Sequence, residues 1–181
     1  MWTYKEVDGQ ALQLSVFLPE GYESSTERFP TFVVYHGGSW AVGEANWHYP
    51  DCEYWASRGM IAVSVDYRLK KRDGVKVPLE CVKDAKSAVR FLRKNAARLK
   101  VDPDKMVIAG GSAGGQLAAA MATKIQRSQW RVLSRLMMTS THTAARPSSM
   151  WARAANTAFV MVAIRTIRFF IGPWNCRISS L

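Results

Sequence analysis

KMVIAGGSAGGQLAAAMAT, residues 105–123, changes character twice. Met106-Val107-Ile108-Ala109 is a short apolar run that reads as a buried strand. Leu117 to Ala122 is a run of small and apolar residues that reads as a helix. Between them stands Gly110-Gly111-Ser112-Ala113-Gly114-Gly115. A G-x-S-x-G between strand and helix is the arrangement of a nucleophile elbow. A turn that sharp puts Ser112 in strained backbone space. Side chains at 110 and 114 would collide with neighbouring chain, and glycine at both removes the collision. A helix starting at the serine aims its first N–H groups at that point, where developing negative charge is stabilised.

A second stretch supports the first. Phe32-Val33-Val34-Tyr35 is another buried-strand run, and it ends in His36-Gly37-Gly38-Ser39-Trp40. This signature matches the oxyanion-hole motif of lipase and esterase α/β-hydrolases. Backbone N–H groups can hold a tetrahedral oxyanion without side-chain reorganisation. The expected donors are the N–H groups of Gly37, Gly38 and Ala113.

With Asp66-Tyr67-Arg68-Leu69 added to these two motifs, the chain resembles the α/β-hydrolase esterases of the hormone-sensitive-lipase type and their bacterial acyl- and carbohydrate-esterase relatives. The resemblance covers roughly residues 1–125 and implies an α/β fold, a mostly parallel sheet with helices on both faces. It also implies hydrolysis of small carboxylic esters by an acyl-serine route with Ser112 as nucleophile, without cofactor or metal. A complete domain of this kind usually needs about 250 residues. The 181 residues here are short for it, as though truncated after the elbow helix.

Upstream, Trp2 to Val7 and Leu12 to Leu18 alternate around an Asp8-Gly9 turn and read as a hairpin. Tyr49 to Arg58 reads as a helix closed by Gly59, and Met60 to Val65 as a parallel strand covered on both faces. Lys70 to Gly74 reads as a charged loop. Pro78 opens a helix whose Cys81, Ala85, Ala88, Leu92, Ala96 and Leu99 draw one apolar stripe, with its basic face in solvent. Val101 to Asp104 reads as a turn into the elbow strand. Alternating strands and helices predict a right-handed parallel α/β sheet.

The net charge of +11 suggests nucleic acid or membrane as partner until its distribution is seen. Residues 1–126 carry 17 basic and 14 acidic side chains, a net of +3; residues 127–181 carry 8 Arg and no acid, a net of +8. The expected organisation is therefore the N-terminal half of a hydrolase domain over 1–126 and an acid-free, Arg-rich tail over 127–181, out-of-frame or disordered. No nucleic-acid partner is expected of the first part. The tail lacks the uninterrupted run of about 18 apolar residues that a membrane span requires. An interfacial amphipathic helix at 155–170 is the alternative reading of its last apolar part. With the rest of the sheet missing, the elbow strand should leave an exposed edge prone to self-association. A non-catalytic protein with a membrane- or nucleic-acid-binding tail is the rival to the esterase, and a partner chain supplying the missing half is a third reading.

The three cysteines have neither disulfide-framework nor zinc spacing. The start shows no signal peptide, so the chain as written is expected in the cytoplasm, although relatives are often exported. In such folds the triad acid and histidine follow the serine. Here the last carboxylate is Asp104, before Ser112, and only His142 follows as a base. His36 and His48 read as structural and exposed residues. Asp66 is expected to anchor its own loop with Arg68. The triad acid and histidine are thus expected to be absent, and the chain weakly active or inactive.

Overall fold

In a computed structural model, the structure describes residues 1–122 and the segments 159–163 and 169–172. Strands β1 (Trp2–Val7) and β2 (Gln10–Phe17) form the expected antiparallel hairpin. Strand β3 (Phe29–Tyr35) precedes a 3-10 turn (Ala45–His48) and helix α1 (Tyr49–Ser57). Strand β4 (Ile61–Val65), a short helix α2 (Lys70–Asp73) and the long helix α3 (Pro78–Lys94) follow. Strand β5 (Val101–Gly111) runs into helix α4 (Ala113–Ala122). Two more strands, β6 (Phe159–Ala163) and β7 (Phe169–Gly172), complete one sheet in the order β1-β2-β4-β3-β5-β6-β7.

The centre of the sheet is parallel: Val33 lies between Val63 of β4 and Ile108 of β5. Its strands are apolar throughout because both faces are covered. The alternation of side chains across the pleat sorts them. Phe32, Val34, Ala62 and Ala109 face α1 through Cys52. Val33, Tyr35, Val63, Val65 and Ile108 face the other way, onto α3 and α4. The apolar stripe read along α3 is the buried one, since Cys81, Ala85, Ala88 and Leu92 are all fully covered.

Three local readings are corrected. Lys70–Asp73 is a turn of helix rather than a loop, stopped by Gly74 at φ +68°. Asp73, the last residue of that turn, accepts from the Leu69 N–H at its start, at 2.7 Å. Val101 to Asp104 belong to β5 rather than to a turn: Val101 pairs with Phe29, the register shifts before Met106, and the Asp104 N–H donates to Asp102 Oδ1 at 3.0 Å. Arg68 does not pair with Asp66. Its guanidinium grips Asp84 on α3, Nε at 2.8 Å and Nη2 at 3.0 Å, while Asp66 pairs with Arg72 at 2.9 Å.

The expected bare edge at β5 is also not found. β6 pairs with it antiparallel, Ala109 opposite Met161, and β7 pairs with β6. An unpaired strand edge offers N–H and C=O groups to any extended segment, and Phe159-Val160-Met161-Val162-Ala163 has the residues for it. The same segment is therefore strand where an interfacial helix was the alternative. Among the described residues the sheet ends at β1 and β7. No helix among them is long and apolar enough to cross a membrane.

Candidate active site

The elbow is built by sterics. Ser112 sits at φ +52°, a left-handed conformation that serine adopts at a cost. A Cβ on Gly110 would lie 2.4 Å from the Gly114 carbonyl, and one on Gly114 would lie 2.0 Å from the Tyr35 carbonyl oxygen. Neither position tolerates a side chain. The turn therefore packs directly against the end of β3 and lifts Ser112 into solvent, while Ala113, immediately behind it, is buried at the start of α4. The Gln116 N–H donates to the Ser112 carbonyl at 3.2 Å, the first bond of that helix.

The His36-Gly37-Gly38 segment lies at the same end of the sheet. A Cβ on Gly37 would stand 3.5 Å from Ser112 Cβ and 3.2 Å from the Gly111 carbonyl oxygen. The structure thus brings Gly37 against Ser112, with Ala113 next to the serine and Gly38 next to Gly37 along the chain. Gly38, at φ +100°, begins a tight loop in which its carbonyl accepts from Ala41 N–H at 3.0 Å and Val42 N–H at 3.1 Å. Ser39 and Trp40 continue it with positive φ.

Gly43 is a residue that the sequence reading passed over. At φ +125°, a Cβ there would lie 2.3 Å from His36 Nδ1. A lone glycine in a loop carries no signal of such an approach. Tyr67 is the other. It sits in a motif already noted, but nothing local shows that its hydroxyl reaches the His36 carbonyl, at 2.8 Å.

Among the described residues no histidine is bonded to Ser112. His36 is buried, stacked on Tyr67 with ring centroids 4.3 Å apart, and its Nδ1 lies 2.8 Å from the Gly37 carbonyl oxygen. Donation to that carbonyl fixes the Nδ1–H tautomer, and burial depresses the imidazole's pKa. His48 Nδ1 is paired with Asp51 at 2.6 Å. His142 lies outside the described residues. Asp84 is fully buried under Arg68 and Lys5 and serves the frame. Cys52 and Cys81 are buried free thiols, each raised to about 12 by burial. Among the described residues no cluster of His, Cys, Asp or Glu could hold a metal. An open cleft of about 260 Å³ beside Asp66 and Arg72 is walled by Gln13, Ser15, Asn46 and Tyr49. Ser112 is not among the residues on its wall.

The chain is similar to known esterases. The chain is 38% identical over 97 residues to carboxylesterase NlhH of Mycobacterium tuberculosis, covering 53% of this chain and 30% of that protein. It is 37% identical over 109 residues to the versiconal hemiacetal acetate esterase of Dothistroma septosporum, covering 59% and 32%. Among solved structures it matches a thermophilic esterase of Thermogutta terrifontis with butyrate bound, at 45% identity and a TM-score of 0.64. That match covers 67% of this chain and 43% of the esterase. The chain thus spans about a third of the curated relatives and less than half of the solved one. The profile of the BD-FAE family matches residues 14–153. The chain belongs to that family, among the α/β-hydrolase esterases of the hormone-sensitive-lipase type.

Proposed function

We propose that this chain carries the nucleophile and oxyanion half of a serine carboxylic ester hydrolase. The observation that carries the reading is the left-handed Ser112, raised between β5 and α4 with Gly37 against its Cβ. Ser112 Oγ would attack the ester carbonyl carbon, and its proton would pass to a base. The carbonyl oxygen becomes an oxyanion held by the N–H groups of Gly37, Gly38 and Ala113. Collapse expels the alcohol and leaves an acyl-serine, which water hydrolyses. The substrate class is a small carboxylic ester, in keeping with esterase relatives and butyrate on a structural neighbour.

A serine hydroxyl is a weak nucleophile until a base takes its proton. No carboxylate follows Ser112, and His142 is the single histidine after it. We therefore assign this chain low activity. Without a working base and acid, the oxyanion hole and binding leave roughly 10³–10⁴-fold over water. The division near residue 126 belongs to the same proposal and rests on the jump in charge to +8 over residues 127–181; the family match runs on to residue 153, so sequence foreign to the hydrolase fold would begin beyond that point.

The test is p-nitrophenyl acetate turnover of the chain against Ser112→Ala. Slow turnover that Ser112→Ala abolishes supports the reading. Turnover unchanged by the substitution removes Ser112 as nucleophile. A Ser112-dependent rate on the order of tens per second, ordinary for a complete enzyme, would overturn the incomplete triad and point to His142 or His48 as base.

A further inference from the structure

We propose that Tyr67 is a positioning residue for the oxyanion hole, setting the direction of the Gly37 and Gly38 N–H groups through the carbonyls behind them. This rests on the reading of those two N–H groups as oxyanion donors.

A trans peptide is planar, so its C=O and N–H point opposite ways. Whatever holds the His36 carbonyl aims the Gly37 N–H, and whatever holds the Gly37 carbonyl aims the Gly38 N–H. The Tyr67 hydroxyl donates to the His36 carbonyl at 2.8 Å and lies 3.4 Å from the Gly37 carbonyl. With one proton it serves the first and only grazes the second. The Gly37 carbonyl is taken by His36 Nδ1 at 2.8 Å, and the His36 ring is itself stacked on Tyr67 at an interplanar angle of 15°. One tyrosine therefore governs both peptides, the first through its hydroxyl and the second through the face of its ring. Neither Gly37 N–H nor Gly38 N–H has a hydrogen-bond partner among the described residues.

Tyr67 can hold them because it is held. The Asp66 carbonyl accepts from Tyr4 Oη at 2.7 Å, the Tyr67 carbonyl from Arg72 Nη2 at 3.0 Å and the Arg68 carbonyl from Cys81 Sγ at 3.2 Å. The Asp66 N–H donates to the Gln13 carbonyl, the Leu69 N–H to Asp73, and the Arg68 side chain is locked on Asp84. Strands β1 and β2 and helices α2 and α3 all grip this one segment, far more anchoring than a connection from β4 to α2 requires. Its buried centre is the Tyr67 ring, wholly inaccessible to solvent. Burial raises the phenol's pKa, so the group stays a donor throughout the working pH range.

The experiment uses the full chain, isotope-labelled for NMR, as parent, Tyr67→Phe, Arg72→Gln and Tyr35→Phe. Tyr67→Phe keeps the stacked ring and removes the donor. It should shift the His36 carbonyl carbon upfield and move the Gly37 and Gly38 amide resonances. Ser112-dependent turnover should fall roughly 10- to 100-fold, in kcat rather than KM. Arg72→Gln, which loosens the bracket from outside, should move the same resonances in the same sense by less. Tyr35→Phe loses an equally buried hydroxyl, which donates to the Ala85 carbonyl at 3.0 Å. It should leave Gly37, Gly38 and turnover near the parent. The inference is overturned if Gly37 and Gly38 in Tyr67→Phe coincide with the parent, or move no more than in Tyr35→Phe. It is equally overturned if they move while kcat does not. A parent without Ser112-dependent turnover refutes the ester-hydrolase reading and the kinetic half of this inference, while the amide shifts still decide whether Tyr67 holds the peptides.

Discussion

Glycine at 114 is a steric requirement. Its absent Cβ would stand 2.0 Å from the Tyr35 carbonyl oxygen and 2.6 Å from that of His36, backbone atoms on a buried strand end that cannot step aside. Gly59, at φ +82° with nothing within 4 Å, is required only for its conformation. Gly114→Ala should therefore cost about 3 kcal/mol or more, the upper range for overpacking, and Gly59→Ala about 1 kcal/mol. Urea midpoints of the two variants check the contrast, and equal losses would remove the steric account. His36 adds a pH dependence. Burial makes the folded protein hold this imidazole neutral, so its folded pKa lies below the ordinary value of about 6.5. Above that pH both states are neutral and the full stability is present. As pH falls through it, the unfolded chain takes up a proton that the folded chain refuses, and stability is lost. The urea midpoint of the parent should drop more between pH 7.5 and 5.5 (about one unit either side of that pKa) than the midpoint of His36→Gln.

Helix α3 is amphipathic in the ordinary way, except that its buried face carries one carboxylate. Asp84 is wholly buried, yet Arg68 grips it in two places and Lys5 reaches it from β1. Such a pair contributes little net stability over an apolar replacement, but breaking it is costly because the surviving charge stays buried. Asp84→Asn should destabilise by about 3–5 kcal/mol. Asp84→Leu combined with Arg68→Met should recover part of that, as read from thermal or urea unfolding. A double variant no better than Asp84→Asn would mean that packing rather than charge sets the loss. Because Arg68 adjoins Tyr67, the same pair anchors the segment behind the candidate oxyanion donors, which links helix packing to site geometry.

At the scale of the whole molecule, the question is what closes the sheet beyond β5. In place of a bare edge, β6 lies antiparallel across Val107 to Gly111. Cutting the chain after residue 126 would remove β6 and β7 and leave unpaired the N–H and C=O groups of β5 that face β6, while β3 still pairs the other side. The truncated chain should self-associate with rising concentration in sedimentation velocity, more than the full chain does, because exposed edges pair with one another. Amide protection at Ile108 and Ala109 should fall with it. Equal sedimentation of the two chains would show that β6 contributes nothing to covering this edge.

The elbow, the His36-Gly37-Gly38 segment, the opening hairpin and the buried stripe of α3 were legible in the chain itself. Each rests on rules that act within a few residues: glycine where a Cβ would collide, alternation on a pleat, a 3.6-residue period on a helix. The meeting of Ser112 with Gly37 followed from two strand ends on one sheet edge. What the chain did not disclose were pairings between distant residues. Arg68 ignores Asp66 for Asp84, sixteen residues away, because α3 packs across the sheet and delivers a carboxylate into a buried place where Arg68 can meet it. Gly43 is needed only because the loop folds back over His36, and Tyr67 finds the His36 carbonyl only because β3 and β4 are parallel neighbours. The strand at 159–163 depends on an open partner edge as much as on its own residues, and such an edge exists only after the sheet has formed. Local sterics determine which conformations a segment can take. Which donor meets which acceptor is decided by where tertiary packing brings them.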